Sequence, residues 1–245
     1  MIMDYYNYAQ ALKYFLELYR RPVAVRFLSD EEEVPPDYRF DLDLSFCQFV
    51  MLAQNGDKLV ATADNLACAN GAAALGLRPL PEKIRSGEMH SRLNLFASPE
   101  MAAQVSALTP RIPLGAYPRI LLAALDEADF EPQVVILQGK PATLMWVLIA
   151  NNYHKGGRYS FTTAVSQGVC VDATVIPFLE GNINLSLSCF GGRGSTDQKE
   201  DEVLLGLPFK DLEKIVEVLP ELKNTIMKRS IEKTAYKRLQ AKLEN

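Results

Sequence analysis

Tyr117-Pro-Arg-Ile-Leu-Leu-Ala-Ala-Leu-Asp-Glu-Ala128, followed by Gln133-Val-Val-Ile-Leu137, is the passage from which the architecture is read. It reads as an apolar helix leading into a buried strand. The chain opens in the same manner. Asp4 to Arg20 is an amphipathic helix, with Tyr8, Ala11, Leu12, Phe15, Leu16 and Tyr19 at three- and four-residue spacing. Pro22-Val-Ala-Val-Arg-Phe-Leu28 then reads as a strand. Two stretches that begin alike predict two pseudo-related halves, residues 1–110 and 115–220, within a single globular unit of 245 residues. The break Thr109-Pro-Arg-Ile-Pro-Leu-Gly115 joins them, and residues 221–245 form a C-terminal helix. The fold class expected is α/β or α+β, a mixed β-sheet packed by helices.

The four cysteines follow the same two frames. Cys47 and Cys68 are separated by twenty residues, Cys170 and Cys189 by eighteen. Glycine follows each second cysteine, in Cys68-Ala-Asn-Gly71 and Cys189-Phe-Gly-Gly192. A further pair of signatures is Leu75-Gly76-Leu77-Arg78-Pro79 and Leu205-Gly206-Leu207-Pro208. Ser45 is placed to cap a helix carrying Phe46, Phe49, Val50 and Leu52, which Gly56 ends. Cys47 falls in its first turn, where the helix dipole is expected to lower a thiol pKa. Asp57–Ala63, Arg158–Ala164 and Asn182–Ser188 read as strands. Helices are expected over Asn70–Leu75, Pro99–Leu108 (capped by Ser98), Pro141–Tyr153 and from Pro208 to the end, with an interruption near Pro220.

A formal charge of −4, from 26 basic and 30 acidic residues, argues against a dedicated nucleic-acid binder. The start Met1-Ile-Met-Asp4 lacks the basic residues of a signal peptide. The longest apolar run, Ala142 to Ala150, is about half of the roughly 20 residues that span a bilayer, so no membrane insertion is expected. A cytoplasmic location follows as the expectation, and there cysteines serve as thiols, metal ligands or redox groups.

The expected site lies between the halves, lined by Cys47, Cys68, Gly71, Cys189, Gly191, Gly192 and Arg193. In the first functional reading a small anionic ligand or cofactor binds there. A glycine-rich turn offers backbone amides and Arg193 a guanidinium fork. In the second, a thiol- or metal-dependent redox or transfer enzyme uses Cys68 or Cys189 as nucleophile or ligand. An iron–sulfur cluster or zinc would then take its ligands from Cys47, Cys68, Cys170 and Cys189. No short C-x-x-C chelate is present, so the fold must assemble any such site, and a free cysteine is more often a small buried hydrophobe. A third reading is a homodimer formed through the C-terminal helix. A second Gly-Gly-Arg turn, His154-Lys155-Gly156-Gly157-Arg158, reads as a solvated loop or an anion contact. Neither turn has the order of a nucleotide P-loop, and no G-x-S-x-G, H-E-x-x-H or EF-hand pattern occurs.

Taken in order, several of these motifs resemble one family. They are Pro22-Val-Ala-Val-Arg-Phe27, Phe46-Cys47-Gln48, Cys68-Ala-Asn-Gly71 with Ala74-Leu-Gly-Leu77, and Ser188-Cys189-x-Gly-x-Arg193 followed by Glu202 and Gly206-Leu-Pro208. The set, which spans nearly the whole chain, is similar to the archaeal and bacterial family called domain of unknown function 169. The resemblance implies a cytoplasmic prokaryotic protein, often from anaerobic lineages, and implies no particular reaction. Cys47, Cys68, Cys189 and Arg193 match motif positions; Cys170 and His154 are not placed on one.

Overall fold

Six strands form one sheet in the order β2–β3–β1–β4–β6–β5, with every pairing antiparallel. They are β1 (Val23–Leu28), β2 (Leu59–Thr62), β3 (Arg119–Ala124), β4 (Val134–Gly139), β5 (Asn184–Ser186) and β6 (Val203–Pro208). The antiparallel sheet places the fold on the α+β side of the expectation. This computed structural model describes residues 5–164 and 166–244; Asp4, the expected start of the first helix, lies outside them.

The helices through the first half are α1 (Tyr5–Leu16), α2 (Phe46–Gln54), α3 (Ala69–Ala74), α4 (Glu82–Arg85), α5 (Glu88–Arg92) and α6 (Pro99–Leu108). There follow α7 (Pro141–Asn152), α8 (Ile176–Glu180), α9 (Phe190–Ser195), α10 (Leu212–Leu222), α11 (Lys228–Ile231) and α12 (Thr234–Leu243). A π-helical segment, Gly168–Val175, carries Cys170. A second π-helical turn, Lys223–Met227, follows α10 just beyond Pro220.

The sheet is buried on both faces. Val23, Val25, Phe27, Ile120, Leu122, Val134 and Ile136 point into one core, on which α2, α3 and the π-helical segment lie. Ala24, Leu121, Ala123, Val135, Leu137 and Leu205 point into the other, beneath α1, α7 and α10. A strand covered on both sides carries no polar alternation, so β3 looks in sequence like a buried helix. The helix expected over Tyr117–Ala128 is therefore corrected to a strand and a following 3-10 turn, Leu125–Glu127. Its partners decide the matter, because Leu122 lies opposite both Val25 of β1 and Leu59 of β2.

The strand expected over Arg158–Ala164 is also absent: from Arg158 to Ala164 the chain is irregular. Asn184 nevertheless ties it to the sheet. Its Oδ1 accepts from the Thr162 amide at 3.0 Å and its Nδ2 donates to the Thr162 carbonyl at 2.9 Å. One carboxamide thus satisfies both backbone groups that a strand neighbour would have taken.

The order of the sheet reads alike from its two edges. In β1–β3 and again in β4–β6, the third strand lies between the first and the second. Each third strand runs into a 3-10 turn, Leu125–Glu127 or Phe209–Asp211. β3, which the sequence places at the head of a second half, is hydrogen-bonded to β1 and β2. The two Leu-Gly-Leu motifs are not counterparts. Gly76 ends α3 in a turn with φ of +73°, whereas Gly206 lies inside β6.

Candidate functional site

The two Cys-x-x-Gly motifs make the same cap. Cys68 is the N-cap of α3 and its sulfur accepts from the Gly71 amide at 3.4 Å. Cys189 is the N-cap of α9 and accepts from the Gly192 amide at 3.3 Å. A thiol at this position stands in for the usual Ser or Asp cap.

Each capping cysteine then lies beside a cysteine distant in sequence. A Cβ added at Gly192 would lie 3.6 Å from Cys189 Sγ and 3.7 Å from Cys47 Sγ. One added at Gly71 would lie 3.7 Å from Cys170 Sγ and 3.8 Å from Cys68 Cβ. Cys47 precedes β2 and Cys170 precedes β5, the two edge strands of the sheet. Both glycines therefore lie in van der Waals reach of the two cysteines that flank them.

The thiols also sense one another electrostatically. Burial pushes the Cys170 thiol well above its ordinary value, and negative charge on Cys68, Cys189, Cys47 and Asp172 adds to this. Burial likewise pushes Cys47 up, opposed by hydroxyl contacts from Ser45 and Ser195 and reinforced by Cys189 and Cys68. The lowered pKa expected for Cys47 from the helix dipole is corrected accordingly: desolvation outweighs the dipole. Local geometry agrees. The Ser45 hydroxyl donates to Gln48 Oε1 at 2.9 Å and that of Ser195 to the Gly191 carbonyl at 2.7 Å. With both protons directed elsewhere, these oxygens face the sulfur, at 3.1 and 3.7 Å, as acceptors for a neutral S–H. Cys68 is exposed; the other three are partly buried.

Arg193 stands beside this cradle in another capacity. Its Nε donates to the Leu187 carbonyl at 2.9 Å, Nη1 to that of Lys199 at 3.2 Å and Nη2 to that of Glu202 at 2.9 Å. The guanidinium therefore laces the 187–202 loop together. Gly191 lies in α9 between Cys189 and the cradle glycine.

Several residues outside the expected site complete the surroundings. Gln48 reaches across from α2, its Nε2 donating to the Ser195 carbonyl at 3.2 Å. Its signal was the Ser45-x-x-Gln48 spacing of a capping box, and the Ser45 amide does donate to Gln48 Oε1 at 3.0 Å. Asn70, inside the Cys68–Gly71 motif, accepts from Gln167 Nε2 at 2.6 Å and lies 3.4 Å from His90 Nε2, anchoring the π-helical segment. Asp172 is buried under Thr163 and Ser186 hydroxyls, and burial pushes its carboxyl up to about 7. Glu202, fully buried, accepts at one oxygen from Gln138, Lys199 and Arg20, while its Oε1 has no partner among the described residues.

Among the described residues no group of three or more His, Cys, Asp or Glu side chains stands close enough to hold a metal ion. Nor is any described helix long and apolar enough to cross a membrane. Residues 11–218 match the model of the family DUF169, described as uncharacterised ArCR. The chain is 32% identical over 200 residues to an uncharacterized protein of Methanocaldococcus jannaschii, covering 80% of this chain and 85% of that protein. No solved structure matches the chain significantly.

Proposed function

The chain belongs to the DUF169 family, and from that premise we propose that its four cysteines form one redox site, holding an iron–sulfur cluster between two pseudo-related halves. The observation that carries this reading is the crossed meeting of thiols, Cys47 with Cys189 and Cys170 with Cys68, each around a glycine without a side chain. Four soft sulfur donors are the ligand set such clusters take. Amide donors to Cys68 and Cys189 supply the hydrogen bonds to sulfur that tune a cluster. A single zinc ion fits the arrangement poorly, since no three of these thiols gather within reach of one ion. A cluster accepts sulfurs standing farther apart.

When bound, the cluster would supply one-electron transfer. The chain itself supplies the rest. The capping geometry fixes two of the sulfurs, each held by an amide of the glycine three residues on. Cys47 and Cys170, held neutral by burial, release their protons on ligation. The guanidinium expected to hold a small anionic ligand, that of Arg193, already gives three of its five donors to carbonyls, which disfavours a fork onto an anion.

The paired arrangement favours a second reading, in which each crossed pair is a reversible dithiol. A pair would give up two electrons and two protons by exchange with an external disulfide. One experiment separates the two. Protein prepared without oxygen, from cells supplied with iron, is assayed for iron, acid-labile sulfide and visible absorption. Stoichiometric iron and sulfide, lost together in Cys68→Ser and Cys189→Ser, are the expected result. Absence of both, with two reducible disulfides formed under oxidant, would sink the cluster and leave the dithiols. Four unreactive thiols and no iron would remove both.

A further inference from the structure

The other Gly-Gly-Arg turn, at Gly156–Arg158, lines a cavity of about 640 Å³ away from the cysteines. The cavity opens between the end of α7, the irregular segment that follows it, and the Gly181–Asn184 approach to β5. We propose that it binds a phosphorylated, hydroxyl-rich small molecule of sugar-phosphate size.

Charge comes first. Lys155, Arg158 and Lys210 line the cavity, opposed by Glu180 and Asp211. Lys155 Nζ lies 3.1 Å from Asp211 Oδ1, so that acid is already neutralised. The Arg158 guanidinium and the Lys210 ammonium have no protein partner among the described residues, in contrast to the engaged guanidinium of Arg193. Two unpaired cations lining one concavity are matched by a phosphate, to which arginine presents a fork and lysine a point charge.

Lys210 lies close to the backbone of the Gly181 turn, which caps α8. Gly181 has φ of +64°, and a Cβ at that position would lie 2.8 Å from Lys210 Nζ. Bare backbone at Gly181 therefore leaves the room in which the ammonium sits.

The remaining lining selects what carries the phosphate. Asn151 donates to the Tyr159 hydroxyl at 2.9 Å and Asn152 to the Gly157 carbonyl at 3.0 Å, so both are fixed in place. The Asn182 carboxamide and the Ser160 hydroxyl, also on the wall, have no protein partner among the described residues. Free carboxamide and hydroxyl groups pair with hydroxyls, and leaving them against an apolar ligand would cost their solvation. The volume lies within the range of roughly 300–1,000 Å³ typical of small-molecule sites.

The test is thermal unfolding of the full chain with glucose 6-phosphate, ribose 5-phosphate and glycerol 3-phosphate as probes. Glucose, inorganic phosphate and sodium chloride at matched ionic strength are the controls. A saturable rise in Tm with at least one phosphate ester, absent with glucose, is expected. Arg158→Ala and Lys210→Ala, both at exposed positions, should fold normally and lose that rise. No response to any ester would overturn the proposal, as would an equal response to sodium chloride or a response undiminished in both variants. A response to inorganic phosphate equal to that of the esters would overturn the hydroxyl-rich class of ligand.

Discussion

At the scale of the residue, Arg193 and Arg158 show that partners, more than identity, assign a side chain its role. Both follow Gly-Gly, and both could present a fork to an anion. Arg193 has three donors engaged by carbonyls of its own loop, whereas Arg158 faces a cavity unpaired. Arg193→Ala should therefore unfold at lower urea, by about 2 kcal/mol, because three carbonyls lose a charged donor. Gly194→Ala, next to it, is the control, since a Cβ there meets nothing within 4 Å. Its stability should change by less than about 0.5 kcal/mol. An unchanged midpoint in Arg193→Ala would return that guanidinium to the list of ligand contacts. The cysteines were legible to a comparable depth. Their spacing and the trailing glycines marked Cys68 and Cys189 as equivalent, and both are indeed helix caps with an amide on sulfur. Which cysteine each one meets was not legible. Cys47 and Cys189 are brought together only by packing of α2 on α9, from opposite ends of the chain.

At the scale of the element, β3 and β6 carry the lesson. Strands at the interior of a sheet covered on both faces present continuous apolar sequence, and nothing in Ile-Leu-Leu-Ala-Ala distinguishes them from a buried helix. α1, with one face toward solvent, was read correctly because its periodicity survives there, whereas the alternation of Arg158–Ala164 belongs to no strand. β6 adds a constraint that only contact reveals. A Cβ at Gly206 would lie 2.0 Å from the Ala173 carbonyl oxygen, because the π-helical segment crosses β6 at backbone distance. Gly206→Ala must push that segment, and Cys170 with it, away from the sheet. The expected cost is about 3 kcal/mol in urea unfolding, together with faster alkylation of Cys170. A loss below about 0.5 kcal/mol would show that the crossing yields without strain.

At the scale of the whole molecule, the sheet repeats its order from either edge. α12 stands outside this plan. It has no buried residue and falls beyond residues 11–218, which match the family. A chain ending at Ile231 should keep its stability within about 0.5 kcal/mol, measured by urea unfolding. A larger loss would show α12 to be part of the folded core. Sedimentation of the same two chains decides the homodimer reading, since a dimer that persists without α12 excludes that helix as the interface. By itself the sequence determined that helices pack a β-sheet, most of the helices, the family, and the likeness of the two Cys-x-x-Gly caps. These are local properties, written in periodicity, capping residues and spacing. Only the tertiary structure decided that residues 119–124 are a strand, that Cys47 stays a neutral thiol, and which arginine is free. Each depends on what lies opposite across the fold, and burial and pairing are properties of that neighbour as much as of the residue.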